Sequence, residues 1–300
     1  MALYDGAVRL QRDVLSTAIR SLTAAVSIAR AAKSGRSSTV ARLYWRCARN
    51  QRCVPGTFRF PFGRIHYVDI QSLLSQYQDI FLSRVYEVSM LTRAPYIVDC
   101  GGNIGLSVIW FKQKYPHARV MVFEADPAIA GVLESNIHNL RLEDVEVIPA
   151  ALDLDTGSVT FHTDGADGGR VGNGDGLIVE CVRLSDRISE PVDILKVDVE
   201  GSEYGIIRDL CNTGKIGLIR HIICELHGYE ATQRQIGALW NDLSNAGFRI
   251  TVTSAHTAEW MPGPPDPTPF PSAQSAKFLL HLHAWQVERS DPRDVSGTMI

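Results

Sequence analysis

The sequence predicts an α/β fold, a mostly parallel sheet flanked by helices and closed by an antiparallel terminal strand, behind a mainly helical N-terminal extension. Three observations predict it. From Tyr96 onward, short apolar runs alternate with helical patterns. The first of those runs leads into a glycine turn, Asp99-Cys100-Gly101-Gly102-Asn103-Ile104-Gly105, directly before a helix. The last two runs are joined by a proline-rich segment, MPGPPDPTPFPS at 261–272, with no room for the crossover helix that parallel neighbours need.

The elements follow in order. Residues 7–46 carry helical spacing, broken near Gly35 and the Ser37–Ser38 pair. Residues 57–70 read as a hairpin, with Phe58, Phe60, Ile65 and Tyr67 around Pro61 and Gly63. A second helical pattern runs from Ile70 to Met90. Strand patterns at 96–100, 119–124 and 145–150 are separated by helical patterns at 104–115 and 126–139, the latter with Pro127 in its first turn. Residues 158–184 read as a hairpin with a mobile Gly/Asp-rich loop at 163–176. Strands at 192–198 and 219–226 enclose a helix over 202–212, and a helix over 232–246 precedes the closing strands at 248–253 and 278–283. The expected boundaries are an extension over 1–84, a main domain over 85–290 and a tail over 291–300.

Composition fits a globular chain: 45% of residues are hydrophobic and 21% charged, and no apolar run approaches the roughly 18 residues of a membrane span. Leu22–Ala29 faintly resembles a secretory h-region, but Asp5 and Asp13 precede it and helical spacing runs through it, so a cytoplasmic location is expected. Six cysteines without CxxC spacing fit a reducing compartment better than a zinc site. Charge is uneven: Met1–Arg64 carries +10 and the remainder −13. Such an arm suits an anionic partner or, with no nucleic-acid motif beside it, packing on its own acidic body or in a homodimer.

The chemistry concentrates at strand ends. Ligands of open α/β sheets bind beyond the carboxyl ends of the strands, where strand order reverses. The spacing D-x-G-x-x-x-G lacks the G-x-G-x-x-G of pyrophosphate binders, and the Asp99 carboxylate would attract an ammonium instead. Gly101, Gly102, Asn103 and Gly105 form the turn, and Glu124 stands 19 residues past Gly105, where an acidic side chain takes ribose hydroxyls. S-adenosylmethionine offers both an ammonium and a ribose; Ala125 and the Ala150–Ala151 region would then face its adenine.

The segment LKVDVEGSE (195–203) puts Lys196, Asp198 and Glu200 on one side if the strand alternates throughout, and HIICELHG (221–228) delivers Glu225 and His227. Asp198, Glu225, His227 and Lys196 are therefore the catalytic candidates. Two chemistries stay open: a general base for an alcohol acceptor, or Mg²⁺ bound by Asp198, Glu200, Glu225 and His227. A structural Lys196–Glu225 ion pair is the bland alternative.

IVDCGGNIGLS (97–107), VFEADP (122–127), VIPAAL (147–152), LKVDVEGSE (195–203) and IICELH (222–227) together resemble the FkbM family of S-adenosylmethionine-dependent methyltransferases over roughly residues 75–285. The resemblance implies the class I methyltransferase version of the Rossmann-like architecture and O-methylation of a hydroxyl on a sugar or secondary metabolite. It also implies Asp99, Gly101, Asn103 and Glu124 at the donor and Asp198 near the transferred methyl. Gly102 departs from the family's usual Ala, read as the loss of a methyl beside the ligand.

Rival readings fare worse. A nicotinamide dehydrogenase lacks its glycine spacing here, and a nucleic-acid methyltransferase lacks a polar, aromatic-flanked pocket motif such as N-P-P-Y. A non-catalytic subunit or scaffold using the basic arm would have no use for three charges in a buried strand.

Overall fold

The computed structural model describes residues 37–90, 92–166, 168–172, 174–229, 232–257 and 277–286. The predicted helix before residue 37, the proline-rich segment at 261–272 and the tail at 291–300 lie outside them. The chain divides into two compact units, Met1–Arg84 and Val85–Ile300.

In the first unit, helix α1 (Ser37–Cys47) buries Val40 and Leu43, and strands β1 (Gly56–Phe60) and β2 (Gly63–Tyr67) form the expected hairpin. Its alternation buries Phe58, Phe60, Ile65 and Tyr67 on one face and leaves Arg59 and Arg64 facing each other across the strands on the other. Helix α2 (Ile70–Tyr77) starts at Asp69, whose carboxylate accepts from Ser72 N and Cys53 N, each at 3.0 Å, and pairs with Arg52 at 2.9 Å. It passes into a π-helical turn (Gln78–Ser83) and stops where Arg84 takes a left-handed φ of 57°. The helix expected through Met90 therefore ends seven residues early. Tyr86 and Val88 keep the apolar spacing because both are buried, but in an irregular segment.

The second unit carries the predicted sheet. Its strands are β3 (Tyr96–Cys100), β4 (Arg119–Phe123), β5 (Val145–Ile148), β10 (Val192–Val197), β11 (Ile219–Gly228), β12 (Phe248–Thr257) and β13 (Phe278–Gln286). They lie in the order β12-β13-β11-β10-β3-β4-β5. β3, β4, β5, β10 and β11 pair in parallel, and β13 enters antiparallel between β11 and β12. Helices α3 (Leu106–Lys114), α4 (Pro127–Asn139), α6 (Glu203–Asn212) and α7 (Gln233–Asn245) make the crossovers, with α5 (Leu184–Arg187) a single turn before β10. Val98, Leu195, Ile222, Leu226 and Leu282 anchor the core beneath the site.

Residues 151–182 form a separate four-stranded sheet, ordered β6-β9-β7-β8, from β6 (Ala151–Leu152), β7 (Gly157–His162), β8 (Arg170–Val171) and β9 (Leu177–Val182). β7 and β9 are the expected hairpin, and β6 adds parallel to β9.

Candidate functional site at the carboxyl ends of the central strands

The chain runs outward from β3 in both directions, β4 to one side and β10 to the other, so the reversal of strand order falls between β3 and β10. There the glycine turn is fixed by packing. Gly101 has φ +87°, and a Cβ on it would sit 1.8 Å from the Asp198 carbonyl oxygen. A Cβ on Gly102 would meet Val122 Cγ2 at 2.2 Å and Leu133 Cδ1 at 2.7 Å. That corrects the reading of Gly102: its missing methyl would point into the seam between β4 and α4, away from ligand space. Asn136, fully buried on α4, donates to the Ile104 carbonyl at 2.8 Å and braces the turn.

Asp99 is 0% exposed. It accepts from Ser107 Oγ and pairs with Lys196 Nζ at 3.2 Å. The ammonium that this carboxylate holds in the structure is thus that of Lys196. The same Nζ lies 3.4 Å from Asp198 Oδ2 and donates to the carbonyls of Cys100 (3.3 Å) and Gly101 (2.5 Å). Burial opposes the ammonium, but Asp99, Tyr86 and Asp198 outweigh it and hold its pKa well above the usual lysine range. Lys196 is a buried clamp joining the ends of β3 and β10; it pairs with Asp99 and Asp198, where the bland alternative expected Glu225.

Glu124 follows β4 and is nearly buried. Its Oε2 accepts from Asn103 N at 2.8 Å and its Oε1 from Asp126 N at 2.9 Å. Burial pushes its pKa up to about 7 against those two hydrogen bonds. Ala125 is part-buried, and Ala151 turns into the small-sheet core with Phe161, Val179 and Cys181, against which Ala125 packs.

Beyond β10 the strand alternation ends at Val197, so Glu200 does not share a pleat with Lys196 and Asp198 as the sequence suggested. Glu200 has φ 56° and Gly201 φ 121°. The tight turn is held by Glu203, a 0%-exposed residue whose Oε1 accepts from Val199 N (3.2 Å) and Gly201 N (3.0 Å), and which lies 2.8 Å from His227 Nδ1. His227 Nε2 lies 3.1 Å from Glu200 and 3.8 Å from Glu225. Burial would lower the His227 pKa, yet Glu203 and Glu200 carry it well above 6.5. Glu225 meets His281 Nε2 at 2.5 Å, and the opposite nitrogen of His281 lies 2.7 Å from Ser254 Oγ.

Asp198 is held below the ordinary carboxylate range: burial resists, but Lys196, His227 and His281 prevail. Tyr86, in the segment leading to β3, donates to its Oδ2 at 3.4 Å. The structure thus brings together Asp198, Glu200, Glu225 and His227, with Lys196 beneath. Sequence reasoning missed Tyr86, Ser107, Asn136, Ser254 and His281. It quoted Glu203 inside a motif without giving it a task; its place in the first turn of α6, after a glycine, was the available signal.

One ligand atom each of Asp198, Glu200 and His227 lies within 4.8 Å of the others. The donor set suits Mg²⁺ poorly, because that ion takes oxygen ligands in octahedral geometry and one of the three donors here is an imidazole nitrogen. A nucleoside donor does fit. Helix α3 begins at Gly105 with no side-chain cap beside the glycine turn, and Glu124 stands at the neighbouring strand end.

A parallel sheet closed by one antiparallel strand, with a glycine turn and an acidic residue at successive strand ends, defines the class of S-adenosylmethionine-dependent methyltransferases. Residues 99–250 match the model of the methyltransferase FkbM domain, and the chain belongs to that family. It is 29% identical over 242 residues to Methyltransferase sdnD of Sordaria araneosa, covering 66% of this chain and 90% of that protein. It is 23% identical over 237 residues to 31-O-demethyl-FK506 methyltransferase FkbM of Streptomyces tacrolimicus, covering 65% and 90%. Among solved structures, an FkbM methyltransferase from Methylobacillus flagellatus KT aligns at TM-score 0.40 and 15% identity, over 70% of this chain and 53% of that one. M. jannaschii TYW2 in complex with AdoMet aligns at 0.44 and 13%, over 79% and 89%.

Proposed function

We propose that this protein transfers the methyl group of S-adenosylmethionine to a hydroxyl of a small molecule, a sugar or a secondary metabolite. The observation that carries the reading is the set of three part-exposed carboxylates, Asp198, Glu200 and Glu225, at adjoining strand ends next to the glycine turn. A methyl donor is already activated, so a protein needs to align the acceptor oxygen and receive its proton, and carboxylates at adjoining strand ends suit both tasks. The relative named for 31-O-demethyl-FK506 supports an oxygen acceptor on a natural product.

In this reading Glu124 takes the ribose hydroxyls, Gly101, Gly102, Asn103 and Gly105 shape the turn against the donor, and Ala125 borders the adenine with Ala151 behind it. Asp198 faces the methyl group, where a fixed anion complements the sulfonium. Lys196 holds Asp99 and Asp198 in place. Six cysteines held as thiols support a cytoplasmic setting. Among the described residues no helix is long and apolar enough to cross a membrane.

Calorimetric titration with S-adenosylhomocysteine tests the donor half. Micromolar binding is expected for wild type and its loss for Glu124→Ala; well-folded wild type that binds none refutes the reading. Release of S-adenosylhomocysteine during incubation with a panel of sugars, phenols and macrolide alcohols tests the acceptor half. A panel of amines and thiols that alone supports turnover would move the acceptor off oxygen.

A further inference from the structure

The proposed reaction needs a proton acceptor, and the three part-exposed carboxylates are not equivalent. Asp198 is braced by Lys196 and Tyr86 through the same oxygen and is kept anionic. A carboxylate so stabilised is a poor base and a good electrostatic partner for a cationic methyl donor. Glu225 is engaged by His281 at 2.5 Å, and His281 is tied in turn to Ser254. Glu200 also faces a histidine, His227, but it differs in its backbone. It occupies a left-handed conformation (φ 56°) that a residue with a long side chain adopts only under strain. Such strain persists only where the surroundings enforce it.

Here the enforcement is visible. Glu203, fully buried, grips the N–H groups on either side of Glu200 with one oxygen, 3.2 Å from Val199 N and 3.0 Å from Gly201 N. The same oxygen fixes His227, whose other nitrogen meets Glu200 Oε2 at 3.1 Å. One buried carboxylate therefore sets both the backbone and the side chain of Glu200. A turn that needed only to leave β10 would be served by glycine or asparagine at this position.

We propose that Glu200 is the group that takes the proton of the acceptor hydroxyl, and that Glu203 and His227 are the residues that position it. This inference rests on the methyl-transfer reading. The acceptor oxygen forms its bond to the methyl carbon as the carbon–sulfur bond breaks, leaving that pair of electrons on a neutral thioether. The hydroxyl proton passes to a Glu200 carboxylate oxygen and then to water, restoring the carboxylate. The groups facing Glu200 are His227 on β11, Asp198 past β10, Glu203 on α6 and Tyr229 past β11. Burial outweighs His227 among them and raises the Glu200 pKa to about 7, where a base can both accept and release a proton at neutral pH.

The test uses full-length, chelator-treated protein. In wild type, difference infrared spectroscopy between pH 5 and 9 should show a carboxylic-acid band that disappears as pH rises through neutrality. Measured in a Glu124→Gln background, which removes the other carboxyl that titrates near 7, that band should be missing once Glu200→Gln is added and should move once Glu203→Gln is added. Glu200→Asn, which keeps the left-handed turn while removing the carboxylate, serves if the Gln variant fails to fold. With Glu124 intact, both Glu200 variants should bind S-adenosylhomocysteine within about threefold of wild type and turn over the panel alcohols at least ~100-fold more slowly, with a smaller loss for 4-nitrophenol, which ionises unaided. A wild type that binds no S-adenosylhomocysteine defeats the methyl-transfer reading itself. Normal binding with no band lost on removing Glu200, or turnover within threefold of wild type, defeats the assignment of Glu200 alone.

Discussion

Replacing Lys196 with methionine removes a side chain that joins the end of β3 to the end of β10. Its Nζ lies 3.2 Å from Asp99, 3.4 Å from Asp198, and within hydrogen-bond reach of two backbone carbonyls. Methionine fills most of the volume, so the loss is electrostatic rather than a cavity. Breaking a buried pair by deleting one partner costs ~3–5 kcal/mol, since the surviving charge stays in the interior. Asp99 is completely buried and bears that cost in full, while part-exposed Asp198 recovers some solvation. The expected destabilisation is about 4 kcal/mol at pH 7, which for a domain of this size lowers Tm by roughly 8–16 °C.

The pH dependence sharpens the test. Burial already raises the Asp99 pKa above 3.8 despite Lys196, and removing the lysine raises it further. A carboxyl whose folded pKa is raised contributes stability that is full below its unfolded pKa and lost as pH climbs through the folded value. The penalty of Lys196→Met should therefore be small near pH 4 and complete at neutrality. Adding Asp99→Asn to the variant should restore at least half of it. Urea unfolding at pH 4 and pH 7 reads both effects. A penalty under about 1 kcal/mol at pH 7, or one of equal size at both pH values, refutes the clamp.

Other variants probe separate parts of the site. Asp198→Asn should bind S-adenosylhomocysteine within a few-fold of wild type and lose at least ~100-fold in turnover; equal turnover would remove Asp198 from the chemistry. Glu124, raised from 4.5 to about 7 by burial, contributes stability below pH 4.5 that is lost as pH rises through 7; Glu124→Gln should flatten that slope, on the order of 3 kcal/mol, in unfolding titrations. Gly101→Ala, whose methyl would lie 1.8 Å from a backbone oxygen at φ +87°, should cost upwards of ~3 kcal/mol and abolish donor binding, whereas Gly131→Ala, with open space around it, should leave Tm unchanged or raised.

Periodicity made most of the main unit legible, because strands such as Val192–Val197 and helices such as Pro127–Asn139 bury faces that their own sequence spells out. The antiparallel closure was readable from what the proline-rich joint could not hold. Spacing failed where local preference and tertiary demand coincide in type but not in cause. Tyr86 and Val88 extend a helical pattern because both are buried, and the helix stops at Arg84 regardless. Alternation likewise misplaced Glu200, since the strand ends before it and a left-handed turn redirects its side chain. Motif spacing found Asp198, Glu225 and His227, yet it had no means of pairing Lys196 with Asp99 across 97 positions, or Glu225 with His281 from the final strand. Those partners come from sheet register, which no short window contains.

The position of β13 gives the sheet a particular assembly history. β13 follows β11 and β12 in the chain, yet it lies between them. Until residues 278–286 leave the ribosome, β11 has an open edge and β12 has no strand to pair with in the final arrangement. The nascent chain must keep the β11 and β12 edges from pairing directly with each other until then. Such an interval is when a chaperone would bind. His281 arrives with the same strand, so Glu225 gains its partner in the step that closes the sheet, and an incompletely closed molecule has an incomplete site.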